Sequence, residues 1–229
     1  MYFSYWRTKL ILRESGDFMA WTLDNAADRH KEAPYTFYIP SDEVLDRLHA
    51  GDLVKLIFMA EETLDNGCGA ERMWVKIVER HASDFRGELV NHPVYLESPQ
   101  YGDVIRFNSV HICSTQLDDP RAKEMDYYFD YKVIVSNDVL EREQFNFMMK
   151  DEPNNEQDTG WVFFSGYEDD DYNGDSTNFQ VVSLGVVLNM DDSIIPYLDA
   201  EPPSAYERDL ESGKFVFVED YDWDAYYES

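Results

Sequence analysis

Short apolar segments, each closed by turn-forming residues, recur along most of the sequence. In the first half, clusters of glycine, asparagine, aspartate, serine or proline separate four of them: 52–58, 73–78, 85–90 and 103–107. Closely spaced segments of strand length predict a β-meander that closes into a small, barrel-like antiparallel sheet. Residues 6–12 are compatible with an additional strand.

One short helix is predicted beside these strands, over residues 41–48. Ser41 is a suitable N-cap, acidic residues fill the first turn, and Val44, Leu45 and Leu48 share one face. Gly51 follows shortly after and ends the helical pattern.

The second half of the chain is also rich in strand signals and contains many aromatic residues. The predicted strands are 131–136, 144–149, 160–166, 179–183 and 214–218. Residues 184–190 are compatible with strand or helix, and Pro196 makes 193–198 a turn or a single helical turn. We therefore expect an α+β protein of two small β-rich modules. The first is a small antiparallel barrel-like sheet with a short helix, and the second is an antiparallel sheet with short helices.

Negative charge is concentrated in one part of the chain. The sequence has 47 acidic and 19 basic residues, a formal net charge of −28. Residues 1–125 contain 14 basic and 21 acidic residues, and residues 126–229 contain 5 and 26, so the net charges are −7 and −21. This asymmetry predicts two domains, 1–118 and 126–229, with an exposed polar connection around Pro120.

The composition argues against several classes of protein. Strong negative charge disfavours binding to nucleic acid and to anionic membranes, because both are held by basic residues. Hydrophobic residues make up 44% of the chain, which is too many for a disordered protein. No apolar run approaches the ~18 residues of a membrane span. The N-terminus lacks a signal-peptide pattern, so we expect a cytoplasmic location.

Several motifs between residues 50 and 112 follow one another in a recognisable order. They are 51–58, Glu71-Arg-Met-Trp-Val-Lys-Ile77, Phe85-Arg-Gly-Glu-Leu-Val-Asn-His-Pro93 and Gly102-Asp-Val-Ile-Arg-Phe107. In this order they resemble the YegJ-like family of bacterial proteins, which is itself a domain of unknown function. The resemblance implies a fold for this module and carries almost no functional information.

A second set of motifs lies in the acidic half. It comprises 151–170, 178–184, Ile194-Ile-Pro-Tyr-Leu-Asp199 and Ser204-Ala-Tyr-Glu-Arg-Asp209. In this order they resemble a family of bacterial immunity proteins from polymorphic-toxin systems. The resemblance implies a protein that binds and neutralises a cognate toxin without being an enzyme. It implies neither a catalytic residue nor a cofactor, and it leaves the chemistry of the toxin open.

Acidic and aromatic residues around position 170 are the candidate contact surface for such a toxin. Opposite charge accelerates association with a basic protein, and aromatic side chains supply buried anchors. A nuclease is a suitable basic partner, because its own site must attract phosphate. We expect binding by occlusion through Trp161, Tyr167, Glu168, Asp169, Asp170, Asp171, Tyr172 and Asp175.

Two other interpretations of the acidic residues stay open. The protein could mimic nucleic acid and inhibit another basic protein, or it could be a calcium-binding module. Asp169, Asp171, Asn173 and Gly174 fit the first, third, fifth and sixth positions of an EF-hand loop. However, the last position of that loop falls on Gln180 instead of glutamate, and strands are predicted on both sides.

The sequence predicts neither catalytic residues nor a metal site. Cys68 and Cys113 are too few for a disulfide framework and lack a nucleophile signature. We expect them to be turn or core cysteines, although a Cys–His pair can form at any sequence distance. The histidines are isolated, without the spacing of metal ligands: His30, His49, His81, His92 and His111.

Overall fold

The computed structural model of the chain describes residues 21–61 and 69–228. These residues divide into two compact units, each containing its own six-stranded sheet. Within the described part, the first unit contains residues 21–31 and 39–119, and the second contains residues 32–38 and 120–228. The predicted strand at 6–12 and the residue Cys68 lie outside the described residues.

The first unit combines short strands with two short helices. Its strands are β1 (Trp21–Leu23), β2 (Leu53–Ala60), β3 (Ala70–His81), β4 (Asp84–Leu89), β5 (Val104–Asn108) and β6 (Ile112–Thr115). Its helices are α1 (Ala26–Glu32), which ends at the border of the unit, and α2 (Asp42–Arg47).

The strands of the first unit form a nearly closed antiparallel sheet. The strand order is β1–β2–β3–β4–β5. β1 pairs with the last residues of β2, and β6 pairs with the first half of β2. Successive side chains of a strand alternate between the two faces. Val54, Leu56 and Phe58 of β2 are accordingly buried, whereas Lys76 of β3 faces solvent. The prediction of a barrel-like antiparallel sheet is confirmed.

The start of α2 differs in detail from the prediction. Ser41 occupies the N-cap position, but its side chain makes no capping hydrogen bond. Ser41 is instead buried, and its backbone N–H donates to the carboxylate of Asp119 at 2.8 Å. The helix therefore begins at the expected residue, with Asp119 from a distant part of the chain bonded to its N-cap residue.

The second unit alternates short helices with short strands. Its strands are β7 (Lys132–Ser136), β8 (Phe147–Lys150), β9 (Asp158–Phe164), β10 (Phe179–Ser183), β11 (Ser204–Arg208) and β12 (Phe215–Phe217). Its helices are α3 (Ala122–Asp130), α4 (Asn137–Arg142), α5 (Asp170–Asn173), α6 (Leu184–Met190) and α7 (Trp223–Glu228). Short 3-10 segments cover Ser176–Asn178 and Asp192–Tyr197.

The second sheet is mixed, which corrects the expectation of a purely antiparallel sheet. The strand order is β10–β7–β9–β8–β11–β12, and β7 and β9 run parallel. β9 pairs antiparallel with β8, which precedes it in sequence, and inserts between β8 and β7. This position brings β9 beside β7 in the parallel direction. The α+β class with short helices is confirmed.

One face of the second sheet forms the core of the unit. Val133, Val135 and Phe163 are buried on this face and pack with residues of α4 and α6, such as Val139 and Leu184. The opposite face is also apolar but less deeply buried. It carries Ile134, Phe147, Val162, Phe164, Phe179 and Val181.

Several local predictions are settled by these elements. Residues 184–190, which were compatible with strand or helix, form α6. Residues 192–197 form a 3-10 segment that contains Pro196, as the prediction of a turn or single-turn helix allows. The segment 115–126 is not a plain connection, because α3 begins at Ala122. Among the helices of the described residues, none has the length and apolar character needed to cross a bilayer.

Candidate functional site

The segment that joins β9 to β10, residues 165–178, holds seven of the eight predicted contact residues, and we call it the acidic loop. It contains α5 and the 3-10 segment Ser176–Asn178. Its carboxylates are not equivalent, because some accept hydrogen bonds within the loop and others do not. This difference decides which of them are available to a partner.

Glu168 is a structural residue of the acidic loop. Its half-buried carboxylate accepts hydrogen bonds from the hydroxyl of Ser136 and from the backbone N–H groups of Ser165 at 2.8 Å and Gly166 at 2.9 Å. Burial by itself would raise the pKa of Glu168, but the bonds from Ser136 and Ser165 outweigh it, and the pKa lies below its usual value. The Glu168 side chain therefore holds the acidic loop to the end of β7.

Asp169 and Asp175 use their carboxylates to cap the two short helical segments of the loop. Asp169 accepts from the backbone N–H of Tyr172 at 2.8 Å. Asp175 accepts from the hydroxyl of Thr177 at 2.7 Å and from its N–H at 2.9 Å, and these bonds lower the pKa of Asp175. Both residues are exposed, but their side chains are oriented by the loop itself.

Asp170 and Asp171 differ from the other carboxylates of the acidic loop. Both occupy the first turn of α5 and are exposed. Within the described part of the chain, neither side chain takes part in a hydrogen bond or an ion pair. Their negative charge is therefore free to interact with a partner.

Tyr167 is the exposed aromatic residue of the acidic loop, with 66% of its surface accessible. The guanidinium of Arg142 lies 4.6 Å from the centre of its ring, a cation–π distance. Arg142 is held by Asp138, whose carboxylate accepts from Arg142 Nε and from the hydroxyl of Ser165, both at 2.6 Å. The bonds from Arg142 and then Ser165 lower the pKa of Asp138. This chain of contacts fixes the ring at the surface.

Tyr172 is a half-buried member of the same network. Its hydroxyl accepts from the backbone N–H of Asp138 at 3.2 Å, and its ring centre lies 6.2 Å from that of Phe179. Tyr172 thus ties the acidic loop to α4 and to the start of β10. Only part of its ring is open to a partner.

Trp161 does not belong to the surface, which corrects its assignment as a contact residue. It is 1% exposed and lies in the core of the second unit. Its indole N–H donates to the carbonyl of Leu198 at 3.3 Å. The alternation of side chains in β9 directs Trp161 and Phe163 inward and leaves Val162 and Phe164 on the opposite face.

The calcium interpretation finds no supporting geometry in the acidic loop. Strands β9 and β10 flank the loop, as the sequence predicts, whereas an EF-hand loop lies between two helices. Asp169, at the first ligand position, caps α5. Across residues 21–61 and 69–228, no three His, Cys, Asp or Glu side chains are grouped closely enough to hold a metal ion.

Cys113 in the first unit is buried, as expected of a core cysteine. Its thiol donates to the carbonyl of Lys55 at 3.2 Å, and burial raises its pKa. A raised pKa disfavours the thiolate that nucleophilic catalysis requires. The same unit has an open cleft of about 530 Å³ beside β3, β4 and β5, lined by residues that include Arg86, Arg106 and His111.

Comparison with protein families bears on the second unit. Residues 133–219, from the start of β7 to just beyond β12, match the family model of the immunity protein Imm33 domain. This stretch, which we call the Imm33 domain, is therefore similar to that family of immunity proteins. The match supports an immunity function against a toxin, as the motifs of the acidic half imply. The acidic loop lies wholly inside the Imm33 domain.

The other comparisons are negative. Neither the search of curated proteins nor the search of solved structures finds a match to the chain. The resemblance of residues 50–112 to the YegJ-like family receives no support and stays a prediction.

The Imm33 domain also contains residues that sequence reasoning did not single out. Asp138, Arg142 and Ser165 orient the acidic loop, and the i,i+4 spacing of Asp138 and Arg142 on α4 was the available signal. Arg208, in the motif 204–209, pairs with Asp191 at 2.6 Å and packs over Phe215. That motif therefore has a structural role in the domain.

Proposed function

We propose that the protein neutralises a cognate toxin by binding it and covering its active surface, and that the acidic loop forms part of the interface. One observation carries this proposal. Inside the domain that matches immunity proteins, Asp170 and Asp171 expose carboxylates without partners among the described residues, in the same loop as the exposed ring of Tyr167. Charges without partners accelerate association with an oppositely charged protein, and a fixed aromatic ring supplies a specific contact.

The charge distribution supports a basic toxin. Residues 126–229 have a net charge of −21, and such a field raises the association rate of a basic protein by about 10–10³-fold. A nuclease fits this requirement, because a surface that attracts phosphate is positively charged. In this proposal the protein acts in the cytoplasm as a binding protein rather than as an enzyme, and it inhibits by occlusion.

The proposal is tested by growth rescue. Candidate toxin domains are taken from the genes that flank this one, and each is expressed in a bacterium that is supplied with the wild-type chain or with an empty vector. We expect the chain to restore growth and to form a complex with the purified toxin domain. Growth that stays arrested, together with no complex at micromolar concentration, would overturn the proposal.

A further inference from the structure

Among the residues that the structure describes, strand β10 is an edge of the second sheet and pairs with β7 on one side only. Natural edge strands are commonly protected by charged residues, proline or bulges, which prevent pairing with another chain. The five residues of β10 contain neither charge nor proline, and their register with β7 is continuous. Val181, at the centre of β10, is 70% exposed. Within the described part of the chain, this edge therefore has none of these protective features.

The hydrogen bonds show which backbone groups of β10 face away from the sheet. Leu184, which follows β10, donates its N–H to the carbonyl of Tyr131 at 2.8 Å. Lys132 of β7 instead donates its N–H away from β10, to the carbonyl of Gln157 next to β9, at 2.7 Å. Because bonds alternate along an antiparallel ladder, the register places Val182 in a bond with β7 and directs the N–H and C=O of Val181 outward. The outward residues are Phe179, Val181 and Ser183, and of these Phe179 already donates its N–H to the carbonyl of Ser176.

We infer that β10 accepts one extended strand of the toxin, which continues the second sheet by backbone pairing. This inference rests on the proposed function and specifies how the partner is held. Outward N–H and C=O groups of an edge strand supply the affinity in such strand addition, and exposed side chains such as Val181 supply contacts. The added strand would be apolar where it faces Val181.

The acidic loop explains why this edge suits a basic partner. The loop leads directly into β10, and Tyr172 of α5 contacts Phe179 of β10. Gln180 also donates to the side chain of Asn137 at 2.7 Å, which anchors this end of the strand to α4. The free carboxylates of α5 therefore precede the edge on a well-anchored segment. A toxin strand flanked by lysine or arginine is complementary to both features.

The opposite edge of the sheet is a natural comparison. β12 has three residues, against five in β10, and Lys214 directly precedes it. Val218 donates to the carbonyl of Ala205 at 2.9 Å, so alternation directs the backbone of Phe217 outward. β12 thus offers a shorter edge of the same kind, and it provides a matched control.

Amide hydrogen exchange tests the inference without any substitution. In the free protein the Val181 N–H faces solvent and should exchange rapidly, whereas the Val182 N–H is bonded to β7 and should exchange slowly. The probe is the purified toxin domain that the growth-rescue assay identifies. We expect the Val181 amide to become protected in the complex by an order of magnitude or more, with Phe217 unchanged.

Proline substitutions separate the backbone contribution from the side-chain contribution. Val181→Pro removes only an outward N–H and no bond to β7, which edge strands tolerate. We expect Val181→Pro to weaken toxin binding by about 10–100-fold, the effect of losing one or two interface hydrogen bonds. Val181→Thr, which keeps the N–H, and Phe217→Pro, on the opposite edge, should bind within about threefold of wild type.

The outcomes distinguish the inference from the proposed function. A complex that leaves the Val181 amide unprotected, or in which Val181→Pro binds as the wild type does, overturns strand addition and leaves the immunity function standing. Failure of the wild-type chain to bind the toxin domain overturns both. If Val181→Pro does not fold, as judged by its melting temperature, amide exchange of the wild-type complex decides alone.

Discussion

The hydroxyl of Ser136, at the end of β7, donates a hydrogen bond to the carboxylate of Glu168, 32 residues away in the acidic loop. Ser136 also accepts from the backbone N–H of Val139 at 3.1 Å and so caps α4. One serine therefore joins a strand end, a helix start and the candidate interface. This relationship gives Glu168 a structural role, because it holds the acidic loop to the end of β7.

Glu168→Gln should destabilise the second unit by about 2 kcal/mol at pH 7, because several hydrogen bonds to a charged, half-buried carboxylate are weakened. The folded-state pKa of Glu168 is lowered, so its contribution is present above the unfolded pKa and is lost as pH falls through the folded pKa. The difference between wild type and variant, measured by urea unfolding, should shrink below about pH 4.5. Asp170→Asn, a matched loss of charge in the same loop, should change stability by less than about 0.5 kcal/mol. A pH-independent difference would contradict this assignment.

Replacement of both free carboxylates, Asp170→Asn with Asp171→Asn, should slow association with the toxin domain about 3–10-fold at low salt. Rim charges act mainly on the association rate, so the dissociation rate should change little. The association rate is measured by stopped flow at salt concentrations from about 50 to about 500 mM, a range over which salt screens exposed charges. The rate of the variant should depend less on salt than that of the wild type. A charge-matched control in the first unit, Glu97→Gln with Asp118→Asn, should have a smaller effect. Equal effects of the two pairs would mean that net charge, not the acidic loop, guides the toxin.

Trp161→Phe should lower the free energy of unfolding by about 1–3 kcal/mol, because it leaves a cavity in the core and removes the indole hydrogen bond to the Leu198 carbonyl, which keeps only its bond from Lys150. Trp223→Phe in α7, where the indole is only partly buried, should cost less. Thermal denaturation of the two variants provides the comparison. The folded Trp161→Phe variant should bind the toxin domain as tightly as the wild type does. Weaker binding at unchanged stability would instead show that Trp161 contributes to the interface.

Arg208→Lys should destabilise the second unit by about 1–3 kcal/mol, although the charge is kept. The guanidinium of Arg208 bonds Asp191 at 2.6 Å and the carbonyls of Phe145 and Gly213 at 3.2 and 2.8 Å, a set that one ammonium group cannot reproduce. Chemical denaturation of Arg106→Lys in the first unit supplies the control, since the Arg106 side chain has no such bonds within the described residues. Equal stability of both variants and wild type would show that the bonds of Arg208 contribute nothing net.

Local sequence patterns determined a large part of this protein. Alternation of apolar and polar residues located most strands of both units, and the proline at position 196 correctly indicated a short helical turn. The charge count singled out the half that contains the Imm33 domain, and the motifs of that half indicated a family of bacterial immunity proteins. These features depend on neighbours within a few residues, which a sequence displays directly.

The tertiary structure alone decided what those residues do. Glu168 and Asp170 are both acidic and two positions apart, yet only Glu168 has a partner from β7, because strand pairing brings Ser136 to it. Trp161 is aromatic like Tyr167, but its position in β9 directs its side chain toward the core of the second unit. The parallel pairing of β7 with β9, and hence the edge position of β10, follows from strand order. Strand order arises from contacts between residues far apart in the chain, which local patterns do not encode.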